Sequence, residues 1–273
     1  MSADLLTIDT RQGITTLTMN QPDRLNGWST PMTDSIRAAL ADAATDDATR
    51  VVILTGVGPY YCAGVNLGGA AKLMHPREMH EYIVSSNSAL FGMFIDFPKP
   101  ILVAVNGPAL GASVTSAVLC DGIVASEKAS FSTPFAELGA VPEGCSSVTF
   151  PRLLGQAVAE RMLGDEGWKP TGTEAKSIGL VEWVVPPDEL MEKARSIAAG
   201  WIETGARRTF RGGFTREELE RVNAIESQAL ATAFMAPKFL KGRFRFYWRK
   251  KKWSTALTFL AMWITRPLWS RMM

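Results

Sequence analysis

Histidine and cysteine are scarce in this chain, two and three among 273 residues. His75 and His80 stand five apart rather than at the i, i+4 spacing of a helical metal pair, so a zinc site is not expected. Cys62, Cys120 and Cys145 are odd in number and widely spaced, which suits neither a disulfide framework nor a zinc knuckle and points to a reducing compartment. Met1 to Asp9 carries no basic and apolar export signal, and the last residues are not a Ser-Lys-Leu address, so a cytoplasmic protein is expected. Ser146 and Ser147 lack the Gly-x-Ser-x-Gly frame and a nearby histidine, which argues against a serine hydrolase. Gly56-Val57-Gly58-Pro59 is not a dinucleotide fingerprint, and neither an internal repeat nor a low-complexity tract is present.

Acidic residues stop at Glu226. Up to that point the charge balance is −8, and beyond it ten Lys and Arg stand unopposed. Residues 238–252 interleave eight basic residues with five aromatic ones, and 253–265 is almost uncharged but shorter than the roughly 20 residues a membrane span needs. Three readings follow: an amphipathic helix packed on the body or on a neighbouring subunit, a peripheral membrane contact through residues 238–273, or nucleic acid, which the acidic remainder argues against.

With 47% apolar and 21% charged residues the chain has material for a full core. Short β-rich runs alternate with helical patterns through the first half, as in an α/β domain. Residues 5–10 and 14–19 read as a hairpin across Arg11, Gln12 and Gly13. Residues 51–55 and 101–105 read as buried strands. Ser29 or Thr30 can cap a helix whose one face carries Met32, Ile36, Leu40 and Ala43. Later helices are expected between Thr173 and Gly179, around Leu190 to Trp201, and after a capping box of Thr215 with Glu218.

Both buried strands run into small-residue loops, Gly64 to Gly69 and Gly107 to Ala112, where main-chain amides can approach a ligand closely. Pro22 with Asn26, the run Tyr61-Cys62-Ala63-Gly64-Val65-Asn66-Leu67, the run Ala104 to Gly111, Cys120-Asp121 and Phe131-Ser132-Thr133-Pro134 follow in order. Together they resemble the enoyl-CoA hydratase/isomerase (crotonase) superfamily over about residues 5–250. The resemblance implies an α/β fold, a crotonase-like spiral of ββα units with a helical C-terminal trimerisation region. It also implies that the amides of Ala63 and Ala112 hold a thioester oxygen, with Arg24, Asn26, Gly64, Asn66, Leu67, Gly111 and Phe135 around the acyl-CoA. Rigid N–H donors stabilise the charge that forms on that oxygen when an α proton leaves.

Hydratases of this family use two glutamates, and the matching positions here are Thr115 and Phe135, neither of which can serve as a base. Glu143, in Pro142-Glu143-Gly144-Cys145-Ser146-Ser147, instead resembles the catalytic glutamate of delta-3,delta-2-enoyl-CoA isomerases of peroxisomal type. One base suffices for that reaction. Asp121 reads as a structural hydrogen-bonding partner. The expected organisation is an acyl-CoA-binding core over 1–200, a helical region over 201–253 and an apolar extension over 254–273. The expected assembly is a homotrimer or dimer of trimers, with no cofactor beyond the coenzyme A of the substrate. Hydration, thioester hydrolysis and a non-catalytic, membrane-associated acyl-CoA-binding role are the alternatives.

Overall fold

A computed structural model describes residues 4–66 and 74–270. Strands β1 (Leu6–Arg11) and β2 (Ile14–Met19) pair antiparallel across a two-residue turn at Gln12 and Gly13, both with positive φ. That turn is tighter than the hairpin read from the sequence, because Arg11 still pairs with Ile14. Strands β3 (Val51–Gly56), β4 (Ile101–Val105), β6 (Gly122–Ser126) and β8 (Trp183–Val185) then add in parallel, giving the order β1-β2-β3-β4-β6-β8. A second small sheet pairs β5 (Ala109–Leu110) with β7 (Phe131–Ser132).

The parallel strands are covered on both faces, which is why they read as continuous apolar runs. Val52, Leu54, Val103, Val105, Ile123 and Ala125 join the main core under α1 (Thr30–Thr45), α2 (Pro76–Ile95) and α3 (Ala112–Val118). Their neighbours Val51, Ile53, Leu102, Ala104 and Val124 face Leu190, Ala194 and Ala198 of α8 (Leu190–Glu203). In α1 the apolar stripe Met32, Ile36, Leu40 and Ala43 is buried, and Ser29 is the N-cap residue, though its side chain makes no capping bond.

Short helices α4 (Phe135–Leu138), α5 (Ser146–Leu154) and α6 (Gln156–Leu163) follow β7. Helix α7 (Gly172–Ser177) starts at Thr171, whose hydroxyl and the Glu174 carboxylate form a complete capping box. The start thus lies two residues before Thr173, where the sequence places it. At α9 (Arg216–Phe234) only half of the expected box forms: the Thr215 hydroxyl accepts from the Glu218 N–H at 3.1 Å. Glu218 turns instead to Arg152, 2.7 Å away.

Helix α9 lies on α2, with Asn87 Nδ2 donating to Ser227 Oγ and Asn223 Nδ2 to the Ser88 carbonyl. Helices α10 (Pro237–Arg249) and α11 (Trp253–Trp269) then form a hairpin. Asp121, after α3, accepts from the Ile101 and Thr209 amides and pairs with Arg208 at 2.7 Å, with both side chains 6% exposed. That cross-link ties the C-terminal region to the edge of β4.

Candidate active site

Two loops meet beyond the ends of β3 and β4. The Leu110 amide donates to the Cys62 carbonyl at 3.0 Å, and Ser113 Oγ reaches the same carbonyl at 3.3 Å. Gly64, at φ +77°, has to be glycine: a Cβ there would sit 2.6 Å from the Leu110 carbonyl oxygen, in a backbone conformation that side chains resist. Gly111, at φ +56°, turns the chain into α3. These contacts bring the segments of Ala63 and Ala112 side by side.

The two amides differ in state. Ala112, buried at the first position of α3, has an N–H for which no acceptor is found among the described residues. The Ala63 N–H already donates to the Leu25 carbonyl at 2.9 Å. That acceptor went unseen in the sequence, because Leu25 and Asn26 both adopt left-handed backbone, φ 52°, which no local pattern announces.

Asn26 is fully buried, and its side chain is spent on the main chain. Its Oδ1 accepts from Gln21 N–H, and its Nδ2 donates to the Val57 and Tyr60 carbonyls, each at 2.9 Å. The Asn26 side chain therefore braces the two loops. Arg24 is exposed beside it, and the Asn66 amide donates to the Trp28 carbonyl at 2.9 Å. Phe135 is buried at the start of α4. Leu67, like residues 68–73, lies outside the described residues.

Glu143 sits on the turn between α4 and α5, 8% exposed. The turn runs through two consecutive left-handed residues, Gly144 at φ 65° and Cys145 at φ 63°. A Cβ on Gly144 would strike the Phe91 ring and come within 2.7 Å of Thr115 Oγ1. Thr115 itself donates to the Ala112 carbonyl at 3.3 Å. The Glu143 turn is thus packed on the helix that presents the open Ala112 amide, and Thr115 stands between them without a carboxylate.

A second acid, missed in the sequence, holds this turn. Glu226 of α9 accepts from the Cys145 N–H at 2.6 Å and the Ser147 N–H at 2.9 Å, supplying the capping oxygens that α5 lacks locally. The signal was there: Leu219, Asn223, Glu226, Ser227 and Leu230 all lie on the buried face of α9, and an acid on such a face needs a partner. Burial raises the pKa of Glu226, opposed by those hydrogen bonds. Glu143 is pushed from 4.5 up to about 8, chiefly by burial and further by the neighbouring Glu226. Two N–H donors oppose the rise at Glu226, whereas none is found for the Glu143 carboxyl among the described residues.

All three cysteines are buried free thiols, and burial raises Cys62 and Cys120 to about 12, so neither is a nucleophile here. A surface hollow of about 670 Å³ lies elsewhere, lined by residues of α1, α2 and α9 such as Leu40, Met93 and Glu220, and includes none of Ala63, Ala112 or Glu143.

Residues 9–255 match the family model described as enoyl-CoA hydratase/isomerase. The chain belongs to this family. Among curated relatives of the enoyl-CoA hydratase/isomerase family, enoyl-CoA delta isomerase 2 of Homo sapiens is 36% identical over 258 residues, 91% of this chain and 64% of that protein. Peroxisomal enoyl-CoA delta isomerase 3 of Mus musculus is 39% identical over 188 residues, 68% of this chain and 58% of that protein. The chain therefore spans about three-fifths of the length of these relatives. A crystal structure of an enoyl-CoA hydratase/isomerase from Pseudoalteromonas atlantica superposes with a TM-score of 0.74 at 25% identity, covering 90% of this chain and 98% of that one. The α/β fold with a helical C-terminal region is thus the crotonase fold.

Proposed function

We propose that this protein is a delta-3,delta-2-enoyl-CoA isomerase that moves a double bond from the 3 to the 2 position of an acyl-CoA. The observation that carries the reading is the buried Glu143 carboxyl, raised to about 8, on a turn packed against the Ala112 helix. The ionised Glu143 removes the α proton of the 3-enoyl thioester. The electron pair of that C–H bond spreads into a dienolate whose negative oxygen takes the Ala112 N–H, and the Ala63 N–H as it exchanges or shares its Leu25 acceptor. The same carboxyl returns the proton to the γ carbon, the double bond reforms at the 2 position, and the base is regenerated.

A pKa near 8 makes Glu143 a strong base once ionised and a ready acid once protonated, which a shuttle requires in both halves of its cycle. Hydration by the two-glutamate route is disfavoured, since Thr115 and Phe135 stand at those positions. The relatives named enoyl-CoA delta isomerase support the same choice. The chemistry calls for no cofactor, because coenzyme A belongs to the substrate. The reading extends to a cytoplasmic homotrimer or dimer of trimers, a core over residues 1–200, and a peripheral membrane contact through residues 238–273. The experiment offers the purified protein 3-enoyl-CoA and, separately, 2-enoyl-CoA, then repeats both with Glu143→Gln. Conversion of the first substrate by the wild type alone is expected. Full activity in the variant, or rapid hydration of the 2-enoyl substrate by the wild type, would overturn the reading.

A further inference from the structure

Helices α10 and α11 face each other across a small core of their own, Phe239, Leu240, Tyr247, Ala256 and Phe259. The Tyr247 and Phe259 rings stack there, 5.7 Å apart. What α11 turns outward is also apolar. Trp253, Leu257, Ile264 and Leu268 fall, at 100° per residue, within an arc of about 60°. Leu257 is 53% exposed, Ile264 65% and Leu268 78%. Single exposed apolar side chains are ordinary on a protein surface, whereas a line of four along one helix marks a contact surface.

At the head of this stripe, Arg249, Lys250, Lys251 and Lys252 are exposed at the elbow between the two helices. Trp248 and Trp253 flank the elbow, edge to face at 4.7 Å. No acid follows Glu226, so nothing within either helix neutralises the cluster. The arrangement combines an apolar face, tryptophans at its edge and cations beside them, as in helices that lie at a lipid interface. Crossing is excluded for it: at 17 residues α11 is about 25 Å long with Arg266 and Pro267 in its last turn, and no described helix is long and apolar enough to span. The family model matches as far as residue 255, near the start of α11.

We propose that α11 docks flat on an anionic phospholipid surface, with Trp253, Leu257, Ile264 and Leu268 among the upper acyl chains and the Arg249 to Lys252 elbow on the lipid phosphates. This rests on the membrane contact stated above and adds its lipid class and its face. Charge selects lipid over a second copy of the chain: two stripes face to face would bring two uncompensated basic tails together. On the body, the large apolar residues exposed among the described ones are Ile8 in β1, Leu25 and Val65 in the loops of the candidate site, Tyr82 in α2 and Ile225 in α9.

The test floats the full chain with vesicles of phosphatidylcholine alone and of phosphatidylcholine mixed with phosphatidylglycerol. Flotation with the mixed vesicles only, weakened by salt, is expected. Leu257→Glu with Ile264→Glu abolishes it, while Lys250→Gln and Lys251→Gln each weaken partitioning roughly fivefold. Both changes fall on exposed positions, and circular dichroism checks that the fold is kept. Equal flotation with phosphatidylcholine alone would overturn the anionic assignment and leave the broader membrane contact standing. Absence of flotation with either vesicle would overturn both. A stripe variant that instead dissociates a soluble oligomer would show that the face is a subunit contact and overturn the proposal.

Discussion

Replacing Glu143 by Gln is expected to make the protein more stable and far less active, because one physical fact underlies both effects. The side chain is held where its charged form is disfavoured: its pKa is 4.5 in an exposed setting and about 8 in the fold. A carboxyl whose pKa rises on folding favours the folded state fully below its unfolded pKa, and that contribution is lost as pH climbs through the folded value. The window therefore runs from 4.5 to about 8. At pH 7 the loss amounts to about 3 kcal/mol, against about 1 kcal/mol at pH 5. Glutamine keeps the shape and cannot ionise, so the variant escapes this penalty. Its melting temperature at pH 7 should exceed that of the wild type by about 6–12 °C, with the gap narrowing towards pH 5. Calorimetry of both proteins across that range reads the gap directly. Activity should fall by about 10²- to 10⁴-fold, the usual worth of a positioned base. Parallel stability curves for the two proteins at every pH would refute the reasoning, since Glu143 would then ionise as freely in the folded state as in the unfolded one.

The rate should rise with pH towards the Glu143 pKa of about 8 as the base ionises, and Glu226→Gln, by removing the neighbouring negative charge, should move that rise to lower pH in a profile of kcat/KM. The same change replaces one of two acceptor oxygens on the Cys145 and Ser147 amides, and a loss of about 1–3 kcal/mol in urea unfolding is expected. Asn26→Ala strips partners from one buried N–H and two carbonyls, and should lower stability by about 2–4 kcal/mol, measured by denaturant titration. Gly64→Ala drives a methyl into the Leu110 carbonyl and separates the Ala63 and Ala112 segments; kcat should fall well before the melting temperature does.

Much of the fold was written locally. The runs 51–54 and 101–105 are strands because they are apolar at every position, which only a sheet covered on both faces tolerates. The stripe Met32, Ile36, Leu40 and Ala43 made a helix visible, and the absence of acid after Glu226 set the tail apart. The start of α7 is ambiguous by two residues in the sequence, since Thr171 and Thr173 both offer a capping hydroxyl and only the reciprocal Glu174 bond selects one. Residue identity also shows that Thr115 and Phe135, where the resemblance puts the two hydratase glutamates, are not carboxylates.

Tertiary structure decided how the remaining groups are used. Glu143 becomes basic only when the turn through Gly144 and Cys145 buries it beside Glu226, eighty-three residues away along the chain. A pKa depends on the dielectric and charges around a group, and sequence distance carries neither. For the same reason Asn26 proved to be a brace and the Ala63 amide proved to be engaged: hydrogen-bond partners are set by which backbone segments pack together. Sequence alone determined which side chains are available to the chemistry, Glu143 among them and no carboxylate at Thr115 or Phe135. Packing decided which carboxyl is buried beside another, and which amide has no acceptor among the described residues.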